Sequence, residues 1–171
     1  MPIFKQLNGK DRYHDSNTRQ DVINYILQPN KILNRYIGWI NIDMRNPAES
    51  MNLVSKHYNK TSGVQLRHFI LAFRPDETDD TELVNVIAQQ VMYWLGQRYQ
   101  VIYAVHEDTE HLHVHFIFNP VSVVDGQRYY GTKKEYYQKI RFIKSVLHQY
   151  GFYRFEEISY KSGLNIQYPY E

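Results

Sequence analysis

Residues 101–118 read VIYAVHEDTEHLHVHFIF, and the alternation along this stretch decides the fold. In an extended strand successive side chains point to opposite faces. His111, His113 and His115 therefore share one face, while Leu112, Val114 and Phe116 point to the other. The apolar run ahead of them, ending at His106, predicts a second strand, joined to the first by a short turn at Asp108 to Glu110. Two adjacent central strands thus carry four of the chain's eight histidines.

Working outward, RHFILAFRP (67–75) predicts a buried strand closed by Pro75. Thr81 caps the helix that follows, whose Leu83, Val84, Ile87, Val91 and Leu95 recur at helical spacing until Gly96. Upstream, SNTRQDVINYILQPNK (16–31) predicts a helix capped by Ser16 or Asn17 and ended by Pro29. RYIGWINID (35–43) alternates as a strand from Tyr36 to Ile42, and a helix runs from Pro47 to about Lys60, before a Ser62-Gly63 turn. Downstream, VVDGQRYY (123–130) predicts a hairpin on its Asp-Gly turn. A last helix spans about Thr132 to Tyr150, and FYRFEEI (152–158) is a weak closing strand. Residues 1–15 read as polar and irregular. The order predicts an α+β fold, a central antiparallel-rich sheet of about five strands with helices packed on it. One domain is expected over residues 1–157, with 158–171 as a C-terminal tail or the start of a missing region.

The 171 residues suit one domain with a sizeable core. Hydrophobic residues at 43% against 22% charged are a globular balance, and a net charge of +2 announces no nucleic-acid binder by itself. The absence of cysteine excludes disulfides, thiolate metal sites and a cysteine nucleophile. No long apolar run or signal-peptide-like start is seen, so a cytoplasmic protein with no membrane contact is expected. Sixteen tyrosines supply rings that can pack, stack on bases or act as nucleophiles.

Neutral imidazole is a good ligand for divalent ions, and three such ligands leave positions open for water or substrate. An i, i+2 pair on a strand aims two rings into one space, and His106 on the preceding strand can close a triad from the side. Surface histidines on an exposed sheet face are the alternative. Asp108 is a candidate partner orienting an imidazole, or a plain turn residue. Glu110 reads as a turn residue, and Asn119 as an amide that holds the strand end.

These segments carry a resemblance. HEDTEHLHVHFIFNPVSVVDGQRYY (106–130) resembles the third motif of the relaxase, or mobilisation nuclease, family, part of the HUH endonucleases, named for histidine, hydrophobic residue, histidine. VINYILQPNKI (22–32) resembles the first motif of that family, HYNKTSGVQLRHFILAFRPDE (57–77) its middle segment, and GTKKEYYQKIRFI (131–143) its closing helix. The likeness covers about Asp21 to Glu157. It implies a bacterial enzyme that nicks and rejoins one DNA strand at the transfer origin of a plasmid or an integrative and conjugative element, through a 5′-phosphotyrosyl intermediate. It implies Tyr25 as the nucleophile, with Tyr13 and Tyr36 as reserves. It implies His106, His113 and His115 as ligands of a divalent ion (Mn or Mg, with Zn as an option), His111 as an alternate ligand, and Asp108 beside them. Expected partners are single-stranded or hairpin origin DNA, auxiliary relaxosome proteins and a coupling protein, with the chain itself a monomer.

Two other functions stay open: another HUH nuclease, such as a rolling-circle replication initiator or single-strand transposase, and a non-catalytic DNA-binding module of the same fold. Motif order separates the first, since here the tyrosine precedes the histidines. For DNA contact, Arg12, Arg19, Lys31 and Arg35 cluster around Tyr25, and Arg128, Lys133 and Lys134 lead a second basic segment with Lys139, Arg141 and Lys144. Such cations can meet phosphates, and interleaved tyrosines can stack on unpaired bases. A solvated helix face is the plainer alternative.

Overall fold

The computed structural model describes residues 1–7 and 13–158. Ten elements follow one another: β1 (Ile3–Gln6), α1 (Thr18–Ile26), β2 (Ile37–Ile40), α2 (Pro47–His57), β3 (Arg67–Phe73), α3 (Thr81–Leu95), β4 (Val101–His106), β5 (Leu112–Phe118), α4 (Lys133–Gln149) and β6 (Glu156–Ile158). The strands form one sheet in the order β2-β4-β5-β3-β1-β6. All pairings are antiparallel except β1 with β6. The α+β class and the antiparallel-rich sheet are as expected, with six strands instead of about five.

Period-two alternation sorts the three central strands into two faces. Phe69, Leu71 and Phe73 of β3, Val101, Tyr103 and Val105 of β4, and Leu112, Val114, Phe116 and Phe118 of β5 meet α3 and α4 in the larger core. Ile70, Ile102, Ala104 and Ile117 face the other way, into a core completed by Val22, Ile23 and Ile26 of α1 and by Ala48 and Met51 of α2. Burying apolar area against helices on both faces is what stabilises the sheet, at roughly 25 cal/mol per Å².

Local chemistry sets the helix ends. Asn46 caps α2 by accepting from Glu49 N, with Pro47 in its first turn. Asp80, not Thr81, caps α3 by accepting from Leu83 N. Thr132 and Glu135 form a reciprocal capping box on α4. Gly38 admits the ring of Tyr103, since a Cβ there would stand 2.2 Å from Tyr103 Cε1.

Three expectations need correction. Residues 3–6 are not irregular: β1 inserts between β3 and β6, a long-range pairing that a four-residue strand does not announce. The segment 123–130 is a turn closed by a single bridge between Val121 and Arg128, not a two-stranded hairpin. The boundary drawn after residue 157 falls inside β6, which ends at Ile158. The expected tail from 159 onward lies outside the described residues, as does Arg12. Among the described residues no helix is long and apolar enough to cross a membrane.

Candidate active site

The face of the sheet covered by α1 and α2 carries imidazoles from three neighbouring strands. His106 ends β4 directly opposite His113 of β5. His115 is two residues further along β5, between Ala104 on β4 and Ile70 on β3. The ring centres of His106 and His115 are 4.2 Å apart. The alternation read from the sequence therefore brings these three together. His111 does not join them: β5 begins at Leu112, which leaves His111 exposed in the turn, its ring 6.3 Å from that of His113.

Sequence reasoning missed a fourth histidine. His68 of β3 is fully buried on the same face, and its Nε2 lies 2.9 Å from His115 Nδ1. Its other nitrogen, Nδ1, meets the Tyr13 hydroxyl at 3.0 Å. The parity of RHFILAF, which sets His68 with Ile70 and Ala72, was the available signal. Strand neighbourhood, absent from the sequence, gave it meaning.

Tyr25 comes from the last turn of α1. Its ring meets His106 and His115 edge-on, with ring centres 5.9 and 5.8 Å apart. One residue later the Ile26 carbonyl accepts a hydrogen bond from His106 Nε2 at 2.8 Å, so the end of α1 is tied to the end of β4. Of the reserve tyrosines, Tyr13 is occupied with His68, and Tyr36 packs against the core on the opposite face. Lys31 Nζ lies 5.2 Å from the centre of the Tyr25 ring.

Asp108 does not orient an imidazole by hydrogen bonding. Its carboxylate takes a 2.8 Å bond from Lys31 Nζ, because the loop after α1 is laced to the turn after β4. Glu107 N donates to the Lys31 carbonyl, and the Glu107 carboxylate accepts from Asn34. Burial is the largest single influence on Asp108 and raises its pKa. The Lys31 hydrogen bond, the Lys31 charge and smaller contributions from its own backbone and His106 together outweigh it, so the carboxyl ends below its ordinary value. The same bond raises Lys31. Asp108 reaches His106 only as a nearby negative charge.

Burial depresses all four imidazoles, and the neighbouring imidazoles further disfavour a charge at His68, His113 and His115. His68 falls to about 3, His113 to about 4, and His106 and His115 also drop below the usual histidine value. All four are neutral at neutral pH, the form that ligates metals. By donor type and shared face His106, His113 and His115 suit a divalent ion. As the side chains are placed, though, no three His, Cys, Asp or Glu among the described residues form a ready-made metal cluster.

The expected DNA contacts divide. Arg19 is buried and donates to the Gln65 carbonyl, Asn52, Ser55 and Asn119 at 2.7 to 3.2 Å, so it is a core strut and not a phosphate contact. Asn119 holds the strand end as expected, also donating to the Met51 carbonyl and Gln100. Arg128 spends its guanidinium on the carbonyls of Lys60, Ser62 and Val64. Lys139 is buried. Lys31 is paired as described, while Arg35, Lys133 and Lys134 are exposed. Arg35 leads into β2 near the Tyr25 loop, whereas Lys133 and Lys134 open α4, in the layer on the opposite side of the sheet.

Similar proteins are found by sequence. The group II intron-interrupted relaxase LtrB of Lactococcus lactis subsp. cremoris is 32% identical over 71 residues, covering 41% of this chain and 13% of that protein. Protein rlx of Staphylococcus aureus is 33% identical over 78 residues, 46% of this chain and 24% of its own length. TraI of Escherichia coli is 32% identical over 71 residues, 40% of this chain and 10% of its own. The chain thus matches only a quarter or less of each of these curated relatives. A solved structure described as "Molecular Basis of Vancomycin Resistance Transfer in Staphylococcus aureus" matches with a TM-score of 0.49 and 19% identity, over 72% of this chain and 74% of that one. The family model for the MobA/VirD2-like relaxase nuclease domain matches residues 25–152, from Tyr25 to the residue after α4's closing glycine. With most of its length matched, the chain belongs to the MobA/VirD2-like relaxase family and carries that family's nuclease domain.

Proposed function

We propose that this domain nicks and rejoins one DNA strand at a transfer origin, with Tyr25 as nucleophile. The observation that carries this reading is the Tyr25 ring set against His106 and His115 at 5.9 and 5.8 Å. The Tyr25 Oη–P bond forms as the P–O3′ bond breaks; the phenol gives up its proton and the leaving 3′ oxygen takes one. The 5′ side stays on the protein, and the stored bond energy allows the strand to be rejoined without ATP. A divalent ion held by His106, His113 and His115, Mn²⁺ or Mg²⁺, would supply positive charge against the phosphate oxygens as negative charge builds.

The chain's own residues do the rest. α1 delivers the hydroxyl to the edge of the histidine face, and the His106–Ile26 bond fixes that delivery. Lys31, held by Asp108, keeps a cation beside the Tyr25 ring, which favours a developing phenolate. Origin DNA, relaxosome proteins and a coupling protein are the proposed partners, in the bacterial cytoplasm.

The test is incubation with a single-stranded origin oligonucleotide pool and Mn²⁺, followed by a denaturing gel and mass spectrometry. An adduct mapped to Tyr25, lost in Tyr25→Phe while DNA binding persists, is expected. An adduct surviving in that variant would move the nucleophile elsewhere. DNA binding with no adduct in the parent protein would leave a binding module.

A further inference from the structure

We propose that Tyr13 and His68 form a relay behind His115 that decides which ring nitrogen of His115 carries its proton, and so whether the nitrogen turned away from His68 can ligate a cation. The inference rests on the ligand role proposed above for His115. Tyr13 Oη is 3.0 Å from His68 Nδ1, and His68 Nε2 is 2.9 Å from His115 Nδ1. All three side chains are buried, with exposures of 6%, 0% and 2%. The Tyr13 backbone is itself pinned, its carbonyl accepting from Gln65 N at 2.7 Å.

A hydrogen bond between two ring nitrogens holds one proton, so neutral rings have two arrangements. In the first, Tyr13 Oη–H donates to His68 Nδ1, His68 Nε2–H donates to His115 Nδ1, and His115 keeps its proton on Nε2. In the second, His115 Nδ1–H donates to His68 Nε2, and His68 Nδ1–H donates to the Tyr13 oxygen. Only the second puts a lone pair on His115 Nε2. Passing from first to second shifts one proton along each bond. One proton leaves His115 Nε2 to water and one arrives at Tyr13 Oη from water, so the net charge is unchanged. The ligand-competent form therefore needs both His68 as an acceptor and Tyr13 as an acceptor behind it. An outer partner of this kind usually tunes metal affinity by about 10- to 100-fold.

Two measurements on the whole chain test the relay. Mn²⁺ titration by calorimetry should give binding weakened about 10-fold or more in Tyr13→Phe and His68→Leu. His68→Gln, whose amide oxygen can accept from His115 Nδ1–H, should restore most of it. Unchanged Mn²⁺ affinity in both disruptive variants overturns the relay. Histidine ¹⁵N NMR of the parent protein, with and without Mg²⁺, gives a second readout that needs no variant to fold. His68 and His115 should be protonated either both at Nε2 or both at Nδ1, moving to Nδ1 as Mg²⁺ is added. A mixed pair without metal sinks the relay. If the parent protein binds neither ion, the ligand reading of His115 fails, while the metal-free spectrum still decides whether the two protonation sites are linked.

Discussion

Arg19 illustrates how a residue's role turns on burial. Its position in a helix next to Tyr25 suggests a phosphate contact, yet it is 3% exposed and its hydrogen bonds join β3's approach, α2 and the end of β5. Burial first, and Arg128 second, lower its pKa to about 10, so it stays charged at neutral pH and depends on those neutral acceptors. Replacing it takes this donor from two buried acceptors, the Gln65 carbonyl and the Ser55 hydroxyl, each costing about 1–3 kcal/mol. Arg19→Met should therefore destabilise the domain by about 3 kcal/mol or more, read as a lower urea midpoint. An unchanged midpoint would mean that Arg19 is not a strut.

At the scale of an element, α4 carries an unusual passenger. Its apolar stripe of Ile140, Ile143, Val146 and Leu147 is the ordinary core face of an amphipathic helix, but Lys139 is buried beside it. Lys139 Nζ donates to Gln6 Oε1 at 2.8 Å and lies 4.9 to 5.8 Å from the ring centres of Phe4, Phe69, Tyr129 and Tyr136. Burial, helped by Arg67 and opposed by Glu135, lowers its pKa to about 7. The unfolded chain takes up this proton near pH 10.4 and the folded chain only near 7. Stability should therefore fall as pH drops from about 10 to 7, with a slope of at most about 1.4 kcal/mol per unit, which the four rings reduce. Chemical denaturation at pH 7.5 and 9 should show this difference, and Lys139→Met should both flatten it and raise stability at pH 7. A slope that persists in the variant would assign it to other groups.

For the molecule as a whole, the two-faced sheet separates charges that the sequence groups together. Arg35 stands near the Tyr25 loop, while Lys133 and Lys134 begin a helix on the far layer. A strand bound at the histidine face should be sensed by the first and not by the others. Arg35→Ala should lower the salt slope of single-strand binding by about 0.7, with Lys133→Ala/Lys134→Ala leaving it unchanged, as fluorescence anisotropy at several salt concentrations would reveal. The opposite pattern would place the DNA path over α4.

Period-two alternation in 112–118 made the histidine face and its apolar reverse legible from the sequence, and helical spacing made the four helices legible, because both depend on neighbours within a few residues. The caps were less so, since Asp80 and not Thr81 caps α3 and Asn17 makes no side-chain cap bond on α1. The same local rules put Tyr25 on α1, while the nucleophile role to be tested there was implied by the family resemblance of its motif and not by those rules. Only tertiary structure decided what long-range pairing controls. It set β1 between β3 and β6, placed His68 behind His115, turned Asp108 to Lys31, and made Arg19 and Arg128 struts. Each of these depends on which strands and loops become neighbours, and side-chain hydrogen bonds go to whatever acceptor the packed chain brings within about 3 Å.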